Sequence, residues 1–433
     1  VAAMGLFALT ASAGAWTAAA LVAAVLLRGL ITLGIVPSLL TFVDIPLAWG
    51  ALVVGLVRSG AADALGRRLL VLLSALIAVV AVSWAFHPAE PLRAVLYLLL
   101  LGEPFAIVTA LVVDPPTPRL ARRLKGLVVF AVAVQVPIGY FQYLAFGTGG
   151  GEGNLDHVQG TLYGAGAGHL SMGAIVVVGA LWLLSGARLA VLGRALLAIP
   201  LFVLVFLADA KQVLFALPAV LLALRLRGRW GGAVLQVAAV VAALAILVNF
   251  YPAGRTALAF VTNASENRGG KIAVAGLLYE RLKSDPTVAA FGTGPATTVS
   301  KASFMTTDLF LRQSSPLRSL NLEPSEFAFE ATAKVEATRT GVSSFNSAVS
   351  SALGVLGDIG IAGLLVYLAF LVVVVAALKK VGTPMAQAAA AGWAMFAVLG
   401  IVFSWWEEPP FAVLLAVMTG LALAERRRHV ATP

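Results

Sequence analysis

The stretch SALGVLGDIGIAGLLVYLAFLVVVVAALKK, residues 351–380, has the pattern of a membrane-spanning helix that ends in two lysines. Asp358 is its only charged residue before that pair. A helix needs about 20 mainly apolar residues to cross a bilayer, and this run is longer. Lysines just beyond a span are typical of its cytoplasmic end. The stretch therefore predicts a helix that crosses the membrane with Lys379 and Lys380 inside the cell.

The rest of the chain has the same character. Of its 433 residues, 60% are hydrophobic and 12% are charged, and the mean hydropathy is +0.97. Soluble domains are roughly 45–50% apolar and about 25% charged, so the composition excludes an ordinary soluble protein. There is no cysteine, which excludes disulfides, a thiolate nucleophile and cysteine-ligated metals. The four histidines lie too far apart in sequence to suggest a metal site.

Apolar segments recur along the sequence and predict about twelve transmembrane helices. They lie at 4–27, 30–57, 69–86, 92–114, 126–147, 168–186, 195–209, 211–225, 231–250, 351–378, 385–405 and 410–424. Arg28 and Pro37 interrupt the first long apolar run. The expected fold is an all-α polytopic membrane protein. Residues 1–250 hold transmembrane helices 1–9, residues 251–350 form a large, partly helical periplasmic loop with an active-site lid, and residues 351–433 hold helices 10–12 and a basic cytoplasmic tail.

The net charge of +10 reflects topology and does not indicate a nucleic-acid partner. Seventeen of the 30 basic residues fall in loops that alternate to one side of the predicted helices. They are Arg58, Arg67, Arg68, Arg119, Arg122, Arg123, Lys125, Arg188, Arg194, Arg225, Arg227, Arg229, Lys379, Lys380, Arg426, Arg427 and Arg428. That side, with both termini, is predicted to be cytoplasmic, and residues 251–350 then face the periplasm or the outside of the cell.

The outer loop contains a cationic, glycine-punctuated segment. Residues 271–283, KIAVAGLLYERLK, have helical spacing, with Ile272, Ala275, Leu278 and Leu282 on one face. Pro286 is expected to end this helix. The glycines at 292 and 294, in FGTGP, predict a tight turn where backbones approach closely. We expect residues 271–294 to form a lid over the helix bundle, with that apolar face on the membrane helices and Lys271 pointing into a cavity.

A second helix is expected from about 324 to 339. The alternative reading of residues 271–283 is a solvated amphipathic helix that lies on the membrane surface.

Ionisable residues also occur within or beside the spans, where they are costly and often functional. Glu103 precedes Pro104 inside one span, and Glu407 and Glu408 lie at a turn beside two tryptophans. Four cations are predicted on the outer face: Lys211, Arg268, Lys271 and Arg281. Lys supplies a point charge and Arg a bidentate fork for phosphate oxygens. Their natural ligand is a lipid pyrophosphate, since no nucleotide sugar exists outside the cell.

Several motifs, in order, resemble the O-antigen ligase and O-antigen polymerase superfamily of bacterial polysaccharide assembly. GKIAVAGLLYERLKSDPTVAAFGTGP, residues 270–295, is similar to the family's loop layout, with Lys271 at an Arg position. ADAKQVLFALP, residues 208–218, places Lys211 at a second Arg position. Upstream, DHVQGTLYGAGAGHL is similar to a family stretch, and downstream SSFNSAVSSALGVLGDIGIAGLLVY carries Asn346, Gly360 and Gly363. The resemblance covers roughly residues 125–380.

The resemblance implies a glycosyltransferase of the bacterial cytoplasmic membrane, with its active site on the periplasmic or extracellular side. It would transfer or polymerise glycan units from an undecaprenyl-pyrophosphate-linked donor to a sugar hydroxyl on a glycan or lipid-glycan acceptor. Membrane lipids and other members of a polysaccharide assembly system are the further expected partners, and no cofactor is implied. The implied pyrophosphate-binding residues are Lys211, Lys271, Arg268 and Arg281.

One departure favours a polymerase over a lipopolysaccharide ligase. Ligases carry an important histidine in the downstream motif, and this chain has none between His169 and His429. The candidates for the catalytic role are then His157, His169, Asp156, Glu407 and Asn346, between which the sequence does not choose. The rival hypotheses are a transporter or flippase for a lipid-linked sugar and an inactive membrane scaffold. A transporter is expected to show repeats, broken helices and charges near the midplane, and only Glu103 fits the last criterion.

Overall fold

The computed structural model describes residues 12–59, 62–146, 157–162, 168–186, 191–208, 270–307, 322–337 and 348–431, together with 210, 212, 213, 216, 220 and 317. Of these residues 84% are helical, and none of them forms a strand. This confirms the all-α class. The predicted spans at 211–225 and 231–250 fall almost wholly outside the described residues, so the count of twelve stays a prediction.

In the part of the chain that the structure describes, eight helices precede residue 210. Helix α1 has three consecutive parts, which are Ala13–Leu21, the π-helical Val22–Leu27 and Arg28–Thr32. After a 3₁₀ turn at Ser38–Phe42 come α2 (Asp44–Arg58), α3 (Ala64–Phe86), α4 (Pro91–Val113), α5 (Pro118–Ala133) and α6 (Gln135–Phe146). A 3₁₀ turn at Gly160–Leu162 leads to α7 (Gly168–Gly186) and α8 (Val191–Leu207).

Seven more described helices lie from residue 270 onward. Four shorter ones are α9 (Gly270–Ser284), α10 (Pro286–Phe291), α11 (Lys301–Met305) and α12 (Glu326–Ala337). The chain ends with α13 (Ser351–Lys379), α14 (Pro384–Val402), a 3₁₀ turn at Trp405–Glu407 and α15 (Pro409–Ala431).

Local sequence signals mark the starts of several helices. Four helices begin with proline, directly after a residue whose side chain accepts a hydrogen bond from the first turn. Proline fits the first helical position because that N–H has no partner inside the helix. The capping residues are Glu90, Thr117, Asp285 and Thr383. Pro286 therefore begins α10, whereas the sequence reading used it only to end the preceding helix.

Nine helical stretches in the described residues are long and apolar enough to cross a membrane. They are Ala13–Ile31, Leu40–Arg58, Ala64–Phe86, Pro91–Val113, Pro118–Ala145, Gly168–Ser185, Ser351–Lys379, Pro384–Ile401 and Pro409–Arg426. The first expected break is displaced: Arg28 lies inside α1, and the chain turns at Gly34–Pro37. The arginines from Arg119 to Arg123 lie in the first turns of α5, where the sequence reading had placed a loop.

The two ends of the bundle differ in what they contact. At one end, the Ala13 N–H donates to Asp114 (3.1 Å), the Arg58 guanidinium lies 3.6 Å from the same carboxylate, and Lys125 pairs with Glu425. At the opposite ends of the helices, α10 packs on α3 and α13, and α11 packs on α4. The described part of the 251–350 segment thus lies at the end away from these basic residues, as the alternation of the spans requires.

The described residues 270–307 and 322–337, which hold α9 to α12, form a layer with its own small core, and we call this unit the loop layer. Val274 and Leu278 of α9 pack with Phe327 and Ala331 of α12, and Leu353 and Leu356 of α13 border this core. The predicted apolar face of α9 was wrong at Ile272, which is 52% exposed. Ile272 lies two residues from Val274, about 200° around the helix, so the two side chains point in nearly opposite directions.

Helix α13 is broken where this layer meets it. Ile359 and Gly360 have non-helical backbone angles, and Gly360 has φ +67°. The turn that follows α10 enters this break: Gly292 has φ +78°, and the Thr293 N–H donates to the Gly357 carbonyl (2.7 Å). A Cβ on Gly292 would overlap the backbone of Asp358, and one on Gly294 would overlap the carbonyl oxygen of His87. The close backbone approach expected at this turn is present.

Candidate functional site

Lys301, the first residue of α11, contacts two consecutive glutamates. Its backbone N–H donates to the Glu407 carboxylate, and its ammonium group pairs with Glu408. Glu407 is 1% exposed and Glu408 is 3% exposed. Both follow the tryptophan pair in the hairpin between α14 and α15, so Lys301 fixes the loop layer to the last pair of membrane helices. A charge pair as buried as this one is strongly destabilised when one partner is lost.

Arg28 extends this pair into a buried ionic network. Its guanidinium lies 3.5 Å from Asp44 and 3.7 Å from Glu408. The π-helical part of α1 immediately precedes Arg28. A π-helical part holds one extra residue per turn and is frequent at functional sites. We call Asp44, Arg28, Glu408 and Lys301 the ionic network; its two cations and two carboxylates balance.

Glu103 faces the ionic network from the middle of α4. It interacts electrostatically with all four members and is 1% exposed. Within the described part of the chain, its Oε1 has no hydrogen-bond partner. Pro104 is the next residue inside the helix. Uncompensated ionisable groups at this depth are rare and usually functional.

Glu407 is a buried acid of this site whose proton affinity is strongly raised. Burial, reinforced by the nearby Asp358 charge, raises its pKa to about 8, although the N–H groups of Lys301 and Ala302 oppose this shift. The Glu407 carboxyl is therefore mostly protonated at pH 7. By contrast, the cations Lys301 and Arg28 overcome the effect of burial at Glu408 and hold its pKa below the usual value. Adjacent glutamates thus have different charge states because their partners differ.

Asp358 holds the loop layer against the break in α13. Its Oδ1 accepts hydrogen bonds from the Thr297 N–H (3.1 Å), the Thr298 N–H (2.6 Å) and the Thr298 hydroxyl (2.6 Å). The Ser83 hydroxyl of α3 donates to the Asp358 carbonyl (2.7 Å). Asp358 therefore connects α3, α13 and the turn before α11. The hydrogen bonds to its Oδ1 give Asp358 a structural role, while its Oδ2 has no hydrogen-bond partner among the described residues.

Lys271 lies at the base of α9, close to the same hairpin. Its ammonium group donates to the Val349 carbonyl and lies 5.9 Å from the centre of the Phe403 ring. Burial lowers the pKa of Lys271 to about 7. Phe403 is four residues before Glu407, so the lysine and the buried acid belong to one joint between the loop layer and the α14–α15 hairpin. At pH 7 such an amine is about half protonated, and a nearby anion favours its charged form.

Within the described part of the chain, no other predicted pyrophosphate ligand lies beside Lys271. Arg281 is exposed and lies 3.4 Å from Glu326. It is ten residues beyond Lys271, about 15 Å along the axis of α9. Lys211 and Arg268 lie outside the described residues, as does the catalytic candidate Asn346.

The two histidine candidates flank a short segment that is held against α1. His157 is exposed and His169 is partly buried. Between them, Thr161 accepts a hydrogen bond from the Gln135 amide (2.7 Å) and donates to the Val25 carbonyl (2.6 Å). This contact puts the segment beside the π-helical part that precedes Arg28. Among the described residues, no three His, Asp or Glu side chains are arranged to hold a metal ion.

The sequence analysis gave three site residues no functional role: Arg28, Lys301 and Asp358. Arg28 was visible as a charge inside an apolar run, which is a functional signal in membrane helices. Asp358 was visible in the same way, as the only charge within its predicted span, whereas Lys301 gave no such signal because its importance depends on partners far away in the chain.

No protein-family model matches this sequence, and a search of curated proteins finds no significant relative.

Proposed function

We propose that this protein transfers or polymerises glycan units at the outer face of the bacterial cytoplasmic membrane. The donor is an undecaprenyl-pyrophosphate-linked glycan, and the acceptor is a sugar hydroxyl. One observation carries the proposal: Lys271, a partly buried amine, and Glu407, a buried acid, are held at the same joint between the loop layer and the α14–α15 hairpin. The order of motifs along residues 125–380 supports the same conclusion.

The two groups suit two parts of glycosyl transfer. The acceptor oxygen attacks the anomeric carbon of the donor, and the bond from that carbon to the pyrophosphate oxygen breaks. The pyrophosphate leaves with the electron pair, and Lys271 stabilises its negative charge. The proton of the acceptor hydroxyl passes to the Glu407 carboxylate, which acts as the general base.

Polymerisation is favoured over ligation to a lipopolysaccharide core. The motif in which ligases carry a histidine has none here, and Glu407 is a buried acid of the hairpin that Lys271 contacts through Phe403. A base with a pKa of about 8 becomes competent as the pH rises toward that value, so we expect transfer to increase between about pH 6 and 8.

A transporter or flippase is the second candidate, because two observations fit the pattern of transporters. Helix α13 is broken at Ile359–Gly360, and Glu103 lies unpaired in the middle of α4 among the described residues. Broken helices and ionisable groups at membrane depth are both typical of transporters.

The deciding experiment uses the purified full-length chain in lipid nanodiscs with a short lipid-pyrophosphate glycan. We expect longer lipid-linked chains on a gel, and strong loss of this product in Lys271→Ala and Glu407→Gln. Lys283→Ala is the matched control, because Lys283 is an exposed lysine of the same helix. Absence of elongation, together with movement of the labelled lipid-linked glycan between leaflets of a proteoliposome, would instead support the flippase.

A further inference from the structure

The ionic network holds equal numbers of positive and negative charges, and an ionised Glu103 would add one negative charge to it. Arg28 and Lys301 carry two positive charges, while Asp44 and Glu408 carry two negative ones. Glu407, with its pKa of about 8, adds no charge at pH 7. If Glu103 were ionised, this buried region would carry one uncompensated negative charge. Such a charge away from water costs several kcal/mol, so a carboxyl group there neutralises instead.

Among the described residues, Arg28 and Lys301 are the cations that act most strongly on Glu103. The charged groups that face it are Arg28 from α1, Asp44 from α2, Lys301 from α11 and Glu408 from the last hairpin. Both cations are already engaged by carboxylates of the ionic network. On α4 itself, the titratable Tyr97 is two turns away and carries no positive charge.

One carboxyl oxygen of Glu103 also lacks a hydrogen-bond partner among the described residues. Its Oε1 is buried without a hydrogen-bond partner among the described residues, and so are the Glu407 Oε1 and the hydroxyl groups of Tyr97 and Ser303. Ser303 lies two residues beyond Lys301, about half a turn of α11, and α11 packs on α4. Among the described residues, buried polar atoms without a hydrogen-bond partner are therefore found on α4, on α11 and on the Glu407 hairpin, and both α11 and this hairpin pack on α4.

We propose that Glu103 is a proton-binding site in the membrane interior, and that it exchanges its proton with the outer face through the polar groups around Lys301 and Glu407. The ligand is a proton. Binding converts a buried carboxylate into a neutral acid and restores the balance of the ionic network. Loss of the proton sets Glu103 in competition with Glu408 for Lys301, which weakens the attachment of the loop layer to the bundle. This inference does not depend on the proposed glycan transfer.

Dicyclohexylcarbodiimide provides a direct test, because it adds to protonated carboxyl groups in apolar surroundings. The purified full-length chain in detergent is treated between pH 5 and 9, digested and analysed by mass spectrometry. We expect modification at Glu103 that declines as the pH rises, and none at that peptide in Glu103→Gln. Glu425 at the opposite end, which pairs with Lys125 and is partly exposed, is the internal control and should stay unmodified. No modification of folded protein at any pH would overturn the proposal, and protection by added Na⁺ at constant pH would assign the site to sodium.

A second measurement separates proton binding from a purely structural role. Glutamine is a neutral isostere of the protonated acid, so Glu103→Gln should fold and should lack the proton-dependent part of stability. A group that is protonated in the folded state stabilises at low pH, and this contribution is lost as the pH rises. The Tm of the wild type should therefore fall relative to that of Glu103→Gln as the pH rises. A pH-independent difference between the two would contradict the proposal.

Discussion

Gly292 and Gly360 lie against each other's chain segments, one in the turn after α10 and the other in the break of α13. Both have positive φ, +78° and +67°. A Cβ on Gly292 would overlap Asp358 and Ile359, and one on Gly360 would overlap Ala290 and Phe291. The loop layer and the broken helix are therefore joined backbone to backbone, and neither glycine can be replaced without moving both segments.

Gly292→Ala should destabilise the protein by roughly 2–4 kcal/mol, because it combines a left-handed backbone with overpacking. Gly276→Ala is the matched control in the same loop layer, since nothing lies within 4 Å of an added Cβ there. It should stabilise α9 by about 0.5–1 kcal/mol, because alanine favours a helix interior. Unfolding in mixed micelles measures both changes in the free energy of unfolding. Equal effects of the two substitutions would contradict the close approach of Gly292 to the backbone of α13.

The ionic network predicts a large difference between two glutamates. Glu408→Gln removes the partner of both Lys301 and Arg28 and should cost about 3–5 kcal/mol, as expected when a buried cation loses its counter-ion. Glu326→Gln breaks the exposed pair with Arg281 and should change stability by less than about 1 kcal/mol. Both substitutions are isosteric, so the contrast reports burial. Chemical denaturation of the two variants in the same detergent is the measurement, and similar losses would disprove the network's role.

The raised pKa of Glu407 predicts a pH-dependent stability. The ordinary value is 4.5 and the folded value is about 8, so the unfolded chain releases this proton first as the pH rises. The contribution is complete below about pH 4.5 and is lost progressively up to about pH 8. Glu407→Gln should remove this part of the pH dependence. Thermal unfolding between pH 5 and 9 tests it, and parallel profiles for the wild type and the variant would show that Glu407 is already ionised at neutral pH.

Lys271 should take up a proton when an anion binds. Its pKa is about 7 in the unliganded protein, and a neighbouring pyrophosphate favours the charged amine. Calorimetry with pyrophosphate at pH 8, in buffers of different ionisation enthalpy, should give an uptake of roughly 0.9 proton per site. Lys271→Ala should lose the uptake, while Lys283→Ala should keep it. Binding of pyrophosphate with no proton uptake in the wild type would place the anion elsewhere.

The orientation of the chain can be tested without background, since it contains no cysteine. Ser284→Cys, exposed at the end of α9, should react with an impermeant maleimide in spheroplasts. Ser185→Cys, exposed at the end of α7, should react only after lysis. These outcomes follow from the basic residues that lie near Ser185 and away from Ser284. The reverse pattern would invert the proposed topology and remove the active site from the outer face.

The helices were predictable because their causes are local. Apolar runs of about 20 residues and a capping residue before proline, as at Thr383 and Pro384, can be read from the sequence. The turn at Gly292 was predictable for the same reason. The phase of α9 was not, because Ile272 and Val274 are equally apolar and only the position of α12 decides which is buried.

The ionic network could not be predicted, because four separate segments build it. Nothing near Lys301 indicates that its partners are two glutamates 106 and 107 residues further along the chain. Arg28 could be identified as unusual, but its partners could not. Of the site, the sequence identified Lys271 and Glu407 by residue type and position, and left open that a single hairpin brings them together.

The pairing of Arg28 has a consequence for how the protein is made. Glu408 emerges from the ribosome only after almost every other helix, so Arg28 would remain without this partner throughout most of synthesis. Asp44 follows only 16 residues after Arg28. The first helical hairpin can therefore enter the bilayer as a neutral pair, and Arg28 later accepts Glu408 as a second partner. Asp44 neutralises the charge of Arg28 during insertion. Asp44→Asn should therefore reduce the yield of inserted protein more than it reduces the stability of the finished bundle.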